Sequence, residues 1–316
     1  EMLKRTSNLG LRALIQCIGL EGKKIQAYHI GFILAPCLNA SGKLDTAKRA
    51  LALLRAKTER EADMLAGDLK ALNESRRDMT DRVVDEAMAK VEQTDIRGDK
   101  VLVIYLPDCH ESLAGLVAGR VRENYYRPVF VLTDSEDGVK GSGRSIESYS
   151  MYEELTGCGD LLTKFGGHPM AAGLSLDKEN VEKFKRRLND QCTLSEEELT
   201  EKVVIDMELP FAAITEQFIE ELEYMEPFGK GNTKPVFAAR GVVMQHVKII
   251  GKNKNVAKAT AIDAAGNRME AICFHDAQEF AKQCERNNGK MSITFYPGIN
   301  EFRGERQIQI VITHYR

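Results

Sequence analysis

The sequence predicts a multi-domain α/β plus all-β chain. A helical opening and a long helical linker lead into a mixed α/β domain, and a small closed β-barrel follows. Three observations carry this. Residues 58–93 place apolar side chains at steps of three, four or seven without a proline. The run 101–106 is apolar throughout, and a second apolar run follows at 128–132 after helical text. Beyond residue 200, six short strand candidates recur with two helices among them. At 316 residues the chain exceeds one ordinary core and suits two or three. The expected divisions are 1–57, 58–97, 98–192 and 200–316.

Residues 1–57 read as short helices around a loop, Ala35-Pro36-Cys37-Leu38-Asn39-Ala40-Ser41-Gly42-Lys43. Thr58 and Glu61 have capping-box spacing. Leu65, Leu69, Leu72, Met79, Val83, Ala87 and Val91 then continue one stripe. A single helix of this length spans ~50 Å, more than one small domain needs, so it reads as a connector. The alternative is a hairpin bend at Asn73-Glu74-Ser75. The runs 101–106 and 128–132, with a helix over about 111–124 between them, read as a right-handed βαβ unit whose strands are buried on both faces. A Gly-rich segment (141–145), a helix (150–157), a Gly-His turn (166–168), a strand (171–176) and a helix (178–190) complete this domain. The barrel strands are expected at 202–208, 236–250, 256–263, 268–274, 291–296 and 307–313, with helices at 214–225 and 276–284.

Composition narrows the function classes. Net charge is −3, so any nucleic-acid surface must be a local patch. Seven cysteines without a Cys-x-x-Cys pair argue against a disulfide framework and a zinc ribbon, and point to a reducing, cytoplasmic setting. No run approaches the roughly 18 apolar residues of a membrane span. Glu1-Met2-Leu3-Lys4-Arg5 lacks the apolar core of a signal peptide. The chain does not begin with Met, which points to a preceding segment.

Charge is segregated along the last third. Residues 193–226 carry eleven acids and one base, and residues 227–262 carry seven bases (Lys230, Lys234, Arg240, Lys248, Lys252, Lys254, Lys258) and no acid. One reading is mutual attraction between neighbouring elements. The other is a basic barrel face that tracks a phosphate backbone, with Phe274, Tyr296 and Phe302 as base-stacking candidates or as core. In the α/β domain, Asp108-Cys109-His110-Glu111 sits between a strand and a helix N-terminus. His110 there is either a phosphate donor or a helix cap. Gly141-Ser142-Gly143-Arg144-Ser145 joins flexible backbone, two hydroxyls and a guanidinium suited to bidentate phosphate binding; a Gly-Ser turn with one surface Arg is the alternative. The segment 166–173 surrounds His168 with residues lacking bulk, which suits close ligand approach or a tightly packed turn. No P-loop, Asp-x-Asp, Asp-His-His or Gly-x-Ser-x-Gly occurs, and Ala114 stands where a metalloprotease helix needs its second His.

In this order the motifs resemble the C-terminal two-thirds of the RecJ family, single-strand-specific 5′→3′ DNA exonucleases of the DHH phosphoesterase superfamily. The matching residues are Ile30-Gly31-Phe32, Pro36 and Asn39-Ala40-Ser41-Gly42-Lys43-Leu44, then His110-Glu111, Gly115 and Ala118-Gly119-Arg120. The segments 141–145 and 165–173 follow, then Glu226-Pro227-Phe228-Gly229-Lys230-Gly231-Asn232 and Asn300-Glu301-Phe302-Arg303-Gly304. The resemblance implies a tail of the catalytic domain (1–57), a connector helix, a DHH-associated substrate-binding domain and an OB-fold that grips single-stranded DNA. It implies phosphate or nucleic-acid contacts for Asn39, Lys43, His110, Ser142, Arg144 and His168, and for Lys248, Lys252, Lys254 and Arg303 on the barrel. It also implies a role in DNA repair and recombination, with a helicase and a single-strand-binding protein as cellular partners. The family's Mn²⁺ or Mg²⁺ ligands belong upstream of residue 1, so this chain is expected to hold no catalytic or metal residue and to be inactive alone. Cys37 and Lys43 stand where the family usually has Arg, and Cys109 where an aromatic is common. Two alternatives are a stand-alone single-strand-binding module and a DHH-type phosphodiesterase acting on short oligonucleotides.

Overall fold

The computed structural model describes all residues except Glu1, Lys24, Asp45, Lys230, Lys252, Asn253, His275 and Arg303, and leaves the side chains of Lys4, Lys43, Leu44 and Phe302 outside the description. The chain forms two compact units, Glu1–Glu201 and Lys202–Arg316.

In the first unit, α1 (Leu9–Cys17) begins where Asn8 Oδ1 accepts the Leu11 N–H at 2.9 Å. Then α2 (Ala27–His29), a π-helical turn (Ile30–Leu34) and α3 (Ala35–Leu44) run without a break. The loop expected at 35–43 is therefore helix. The Ala35 N–H donates five residues back to the Ile30 carbonyl. Pro36 comes next and brings no N–H, so the proline falls where the helical register changes. After α4 (Lys48–Leu54), the 35-residue α5 (Glu59–Gln93) is continuous, which removes the hairpin alternative. Thr58 Oγ1 accepts the Glu61 N–H at 3.2 Å, and the Glu61 carboxylate accepts the Lys57 N–H at 2.9 Å. Ala62, Ala66 and Leu69 of α5 share a core with Leu14, Leu34 and Leu53. Farther along, Ala87 and Val91 share another with Leu102, Ile104 and Val117. One helix thus ties two cores together.

The α/β layer comprises β1 (Leu102–Tyr105), α6 (Glu111–Tyr125), β2 (Val129–Ser135), β3 (Gly138–Arg144), α7 (Met151–Thr156), β4 (Leu162–His168), β5 (Ala171–Leu176) and α8 (Val181–Gln191). Its sheet has the order β1-β2-β3-β5-β4, with β1 and β2 parallel and the remaining pairs antiparallel. Both faces of β1 and β2 are buried, as their unbroken apolar text requires. Leu102, Ile104, Val129 and Val131 face the core shared with α5 and α6. Val103, Phe130 and Leu132 face Met151, Leu155, Phe184 and Leu188. The Gly-rich segment at 141–145 is the end of strand β3 as far as Arg144, and 166–168, expected as a turn, is the end of strand β4. Neighbours supply the bulk that the motif lacks: a Cβ at Gly143 would lie 2.5 Å from Met151 Sδ and 2.7 Å from Phe130 Cε1.

The second unit holds β6 (Met207–Glu208), α9 (Glu216–Glu223), β7 (Phe237–Ile250), β8 (Val256–Ile262), β9 (Arg268–Cys273), α10 (Ala277–Arg286), β10 (Lys290–Phe302) and β11 (Glu305–Tyr315). The order β7-β8-β9-β11-β10 closes on itself through the β10–β7 pairing, with β6 added beside β7. Five strands, with α10 between the third and fourth, form an OB-fold barrel. Val242, Met244, Ala257, Ala259, Phe280, Phe295 and Ile310 fill it. Two strand expectations change: 202–208 shrinks to the two residues of β6, and β10 with β11 extends as a hairpin as far as Phe302 paired with Glu305.

Candidate nucleic-acid interface

Alternation along β3 buries Val139, Gly141 and Gly143 and turns Lys140, Ser142 and Arg144 to the opposite face. Strand register carries that face across β5 and β4 in three rows: Lys140–Ser175–Lys164, Ser142–Gly173–Gly166 and Arg144–Ala171–His168. The middle row has no side chain larger than a hydroxymethyl. Cationic or imidazole groups flank it on the outer strands. The first turn of α6 forms the other wall, and the cleft of about 470 Å³ is lined by Glu111, Ser112, Lys140, Ser142, Lys164 and Gly173, among others.

Arg144 is half-buried against α6. A Cβ on Gly115 would lie 2.8 Å from its Nη2, so the missing side chain there makes room for the guanidinium. Its Nη1 donates to the Gly143 carbonyl at 2.7 Å. Burial, and then the neighbouring charge of Arg122, pulls its pKa below the ordinary arginine value. No carboxylate among the described residues pairs with it. A desolvated cation lacking a counter-charge raises the local affinity for an anion.

His110 is the N-cap of α6. Its Nδ1 accepts the Ser112 N–H at 3.3 Å and lies 2.8 Å from Ser112 Oγ. In the neutral ring this use of Nδ1 leaves the proton on Nε2 as the remaining donor. The loop ahead of it is pinned by the buried Thr133 hydroxyl, which donates to the Cys109 carbonyl and lies 3.2 Å from that of Pro107. Cys109 itself is buried, which pushes its thiol up to about 11, with the charge of Glu86 adding to the shift. Of the two hydroxyls in the Gly-Ser-Gly-Arg-Ser segment, only Ser142 faces the cleft. Ser145 is buried, and its hydroxyl donates to the Tyr149 carbonyl at 2.5 Å.

The structure thus brings Ser142, Arg144 and His168 onto one face, with His110 at the N-terminus of the helix that walls it. Asn39 is exposed on α3, whose neighbours form the helical core rather than the cleft lining. Lys43 is in α3 as backbone, and its side chain lies outside the described residues. Sequence reading missed Lys140, Lys164 and Ser175. The two-residue spacing of Lys140, Ser142 and Arg144 carries that signal once 138–144 is read as a strand.

On the barrel, Lys248 of β7 is exposed and lies opposite Lys258 of β8. Other bases of the 227–262 block are already engaged. Lys258 Nζ lies 2.7 Å from Glu270 Oε1, Arg240 meets Glu208 at 3.8 Å, and Lys234 Nζ sits 4.5 Å from the Tyr296 ring centroid. Lys254 is exposed in the β7–β8 connection. Lys252 in the same connection and Arg303 between β10 and β11 lie outside the described residues. The stacking candidates divide. Tyr296 packs edge-on to Phe228, and burial pushes its hydroxyl up to about 12, so it belongs to the packing. Phe274 is 53% exposed. It directly follows Cys273, whose partner Ala257 adjoins the Ile250–Val256 pair. An exposed ring and apolar neighbours therefore lie beside the lysine pair. The side chain of Phe302 is outside the described residues.

Among the described residues no three His, Cys, Asp or Glu side chains converge in a metal-holding group, and no helix is long and apolar enough to cross a membrane. The described residues do not fit a manganese or magnesium centre.

Comparison with known proteins agrees with this architecture. Residues 98–194 match the DHHA1 domain family and residues 205–314 match the RecJ OB domain family. The single-stranded-DNA-specific exonuclease RecJ of Bacillus subtilis is 34% identical over 316 residues, covering 99% of this chain and 40% of the relative. Its Escherichia coli namesake is 31% identical, covering 96% of this chain and 54% of the relative. The crystal structure of Thermus thermophilus RecJ in complex with Mg²⁺ superposes with a TM-score of 0.80 at 24% identity, over 99% of this chain and 47% of that one, and bears on the fold alone. A crystal structure of exonuclease RecJ bound to manganese is 34% identical over 60% of this chain, with a TM-score of 0.52. The chain spans about half the length of the curated relatives it matches. With residues 98–194 in the DHHA1 domain family and residues 205–314 in the RecJ OB domain family, on a RecJ-like fold, the chain corresponds to a C-terminal portion of RecJ.

Proposed function

We propose that this chain is the substrate-gripping C-terminal portion of a single-stranded-DNA-specific 5′→3′ exonuclease, binding the phosphodiester backbone in the α/β cleft and on the barrel face. Arg144 carries this reading. It is a half-buried guanidinium without a carboxylate partner among the described residues, beside a floor of Gly166 and Gly173 that lets a strand approach the backbone closely. The names of the relatives supply the substrate class, single-stranded DNA. Ser142, His168 and the Nε2 of His110 supply further donors, and Lys248, Lys252, Lys254 and Arg303 are assigned to the barrel's strand-binding face. Asn39 and Lys43 are assigned phosphate contacts outside the cleft lining. The cleft presents no aromatic or amide side chain in its central row, so it holds a backbone rather than reading bases.

Hydrolysis belongs to a Mn²⁺- or Mg²⁺-dependent centre supplied by residues other than those described, so this chain alone binds without cutting. The parent enzyme would act in DNA repair and recombination in the cytoplasm, alongside a helicase and a single-strand-binding protein. The test is anisotropy of a 5′-phosphorylated, 3′-fluorescent single strand with Mn²⁺ present, with product length followed in the same samples. Binding without shortening supports the reading. EDTA-sensitive shortening that survives repurification contradicts the assignment of catalysis elsewhere.

A further inference from the structure

The Lys140–Ser175–Lys164 row lines the cleft at one end of this sheet face, and the Arg144–Ala171–His168 row lies at the other end, just outside the cleft lining. Four residues of strand separate them, roughly 13 Å at 3.3–3.4 Å per residue. A backbone spacing of that size lets the two rows serve different phosphates of one strand. Lys140 is already occupied: its Nζ lies 2.6 Å from Glu111 Oε2, and both side chains are about half exposed at the cleft wall. Glu111 is thus an acid facing into a cleft whose other charged side chains are basic. Its position at the start of α6 also favours its charge, through the helix dipole.

We propose that Lys140 and Lys164 form a second phosphate station, and that Glu111 guards it by occupying Lys140 until a phosphate of a multi-nucleotide chain, anchored at Arg144, displaces it. The proposal rests on the cleft being the backbone-binding site. Its consequence is a length threshold: a lone phosphate gains nothing from the second station, because it must be won from Glu111, whereas a tethered one arrives at high effective concentration. Displacing Glu111 returns a counterion to that carboxylate, which cancels much of the salt dependence that the Lys140–phosphate contact would add.

The test is calorimetric titration of the full 316-residue chain with 5′-phosphorylated mono-, di-, tri- and tetranucleotides, with thermal unfolding of each variant as a folding control. Lys140→Ala with Lys164→Ala should leave mononucleotide binding within about twofold and remove most of a roughly five- to tenfold gain on lengthening, while Lys140→Arg with Lys164→Arg retains it. Glu111→Gln should tighten the longer chains about two- to fivefold and steepen the salt slope by up to ~0.7, and Glu111→Asp should stay close to the parent. An undiminished length gain in the double alanine variant, or no tightening in Glu111→Gln, overturns the second station while leaving the cleft reading intact. Loss of the cleft reading looks different: Arg144→Ala would then bind every length as the parent does, and both proposals fall together.

Discussion

The α/β cleft and the barrel face carry cations in different ways. On the barrel, three of the five described bases in the 227–262 block are already engaged: Lys258 is held by Glu270, Arg240 meets Glu208, and Lys234 rests on the Tyr296 ring. Lys248 and Lys254 remain exposed as candidate contacts. Beside the cleft, a single arginine outside any basic run is half-buried against Gly115 and has no carboxylate partner among the described residues. Charge counted along a sequence therefore overstates the barrel and understates the cleft. Desolvation and the absence of a counter-charge decide how strongly a cation attracts a phosphate, because exposed pairs contribute about 0–1 kcal/mol and charged hydrogen bonds in drier sites contribute about 1.5–3 kcal/mol.

The sharpest way to break this comparison is Arg144→Ala. Single-strand affinity should fall about 10- to 100-fold, the range a lost charge-assisted contact gives, with little change in thermal stability. Next comes the packing behind the cleft. Gly143→Ala places a methyl against Met151 and Phe130 and should destabilise the chain by roughly 1–3 kcal/mol, read as a lower unfolding temperature. On the barrel, Phe274→Ala should weaken binding by about 1 kcal/mol, near fivefold, with stability unchanged because the ring is already exposed. The smallest expected effect is at Glu270→Gln, which releases Lys258. Binding should tighten by less than about 1 kcal/mol, with a steeper salt slope. A larger effect at Glu270 than at Arg144 would reverse the ranking of the two regions.

Much of the architecture was legible because side chains carried it. The stripe from Leu65 to Val91 marked α5, and the apolar runs around Val103 and Phe130 marked strands buried on both faces. The β3 strand was hidden for the opposite reason. In Gly-Ser-Gly-Arg the inward positions are glycines, and the bulk that fills their space comes from Met151, Phe130, Leu132 and Leu174, some near in sequence and some far. Reading that segment as Gly-rich text without a strand also hid Lys140 as the partner of Ser142 and Arg144 on one face. Residues 35–43 misled through Pro36, Asn39, Ser41 and Gly42, all weak helix formers, whereas packing of Leu34, Cys37 and Ala40 holds the segment helical. The β10–β11 hairpin runs past the expected ends at 296 and 307, through Pro297 and Gly298, because β11 pairs with it as far as Phe302 opposite Glu305.

The central claim is that the cleft, through Arg144, grips more strongly than the basic barrel face. It is tested most directly by titrating one 5′-phosphorylated single strand into the parent, Arg144→Ala and Lys248→Ala chains at several salt concentrations. The account predicts at least a tenfold loss for Arg144→Ala and no more than about threefold for Lys248→Ala, at every salt. The opposite order, with Arg144→Ala binding like the parent, would contradict it.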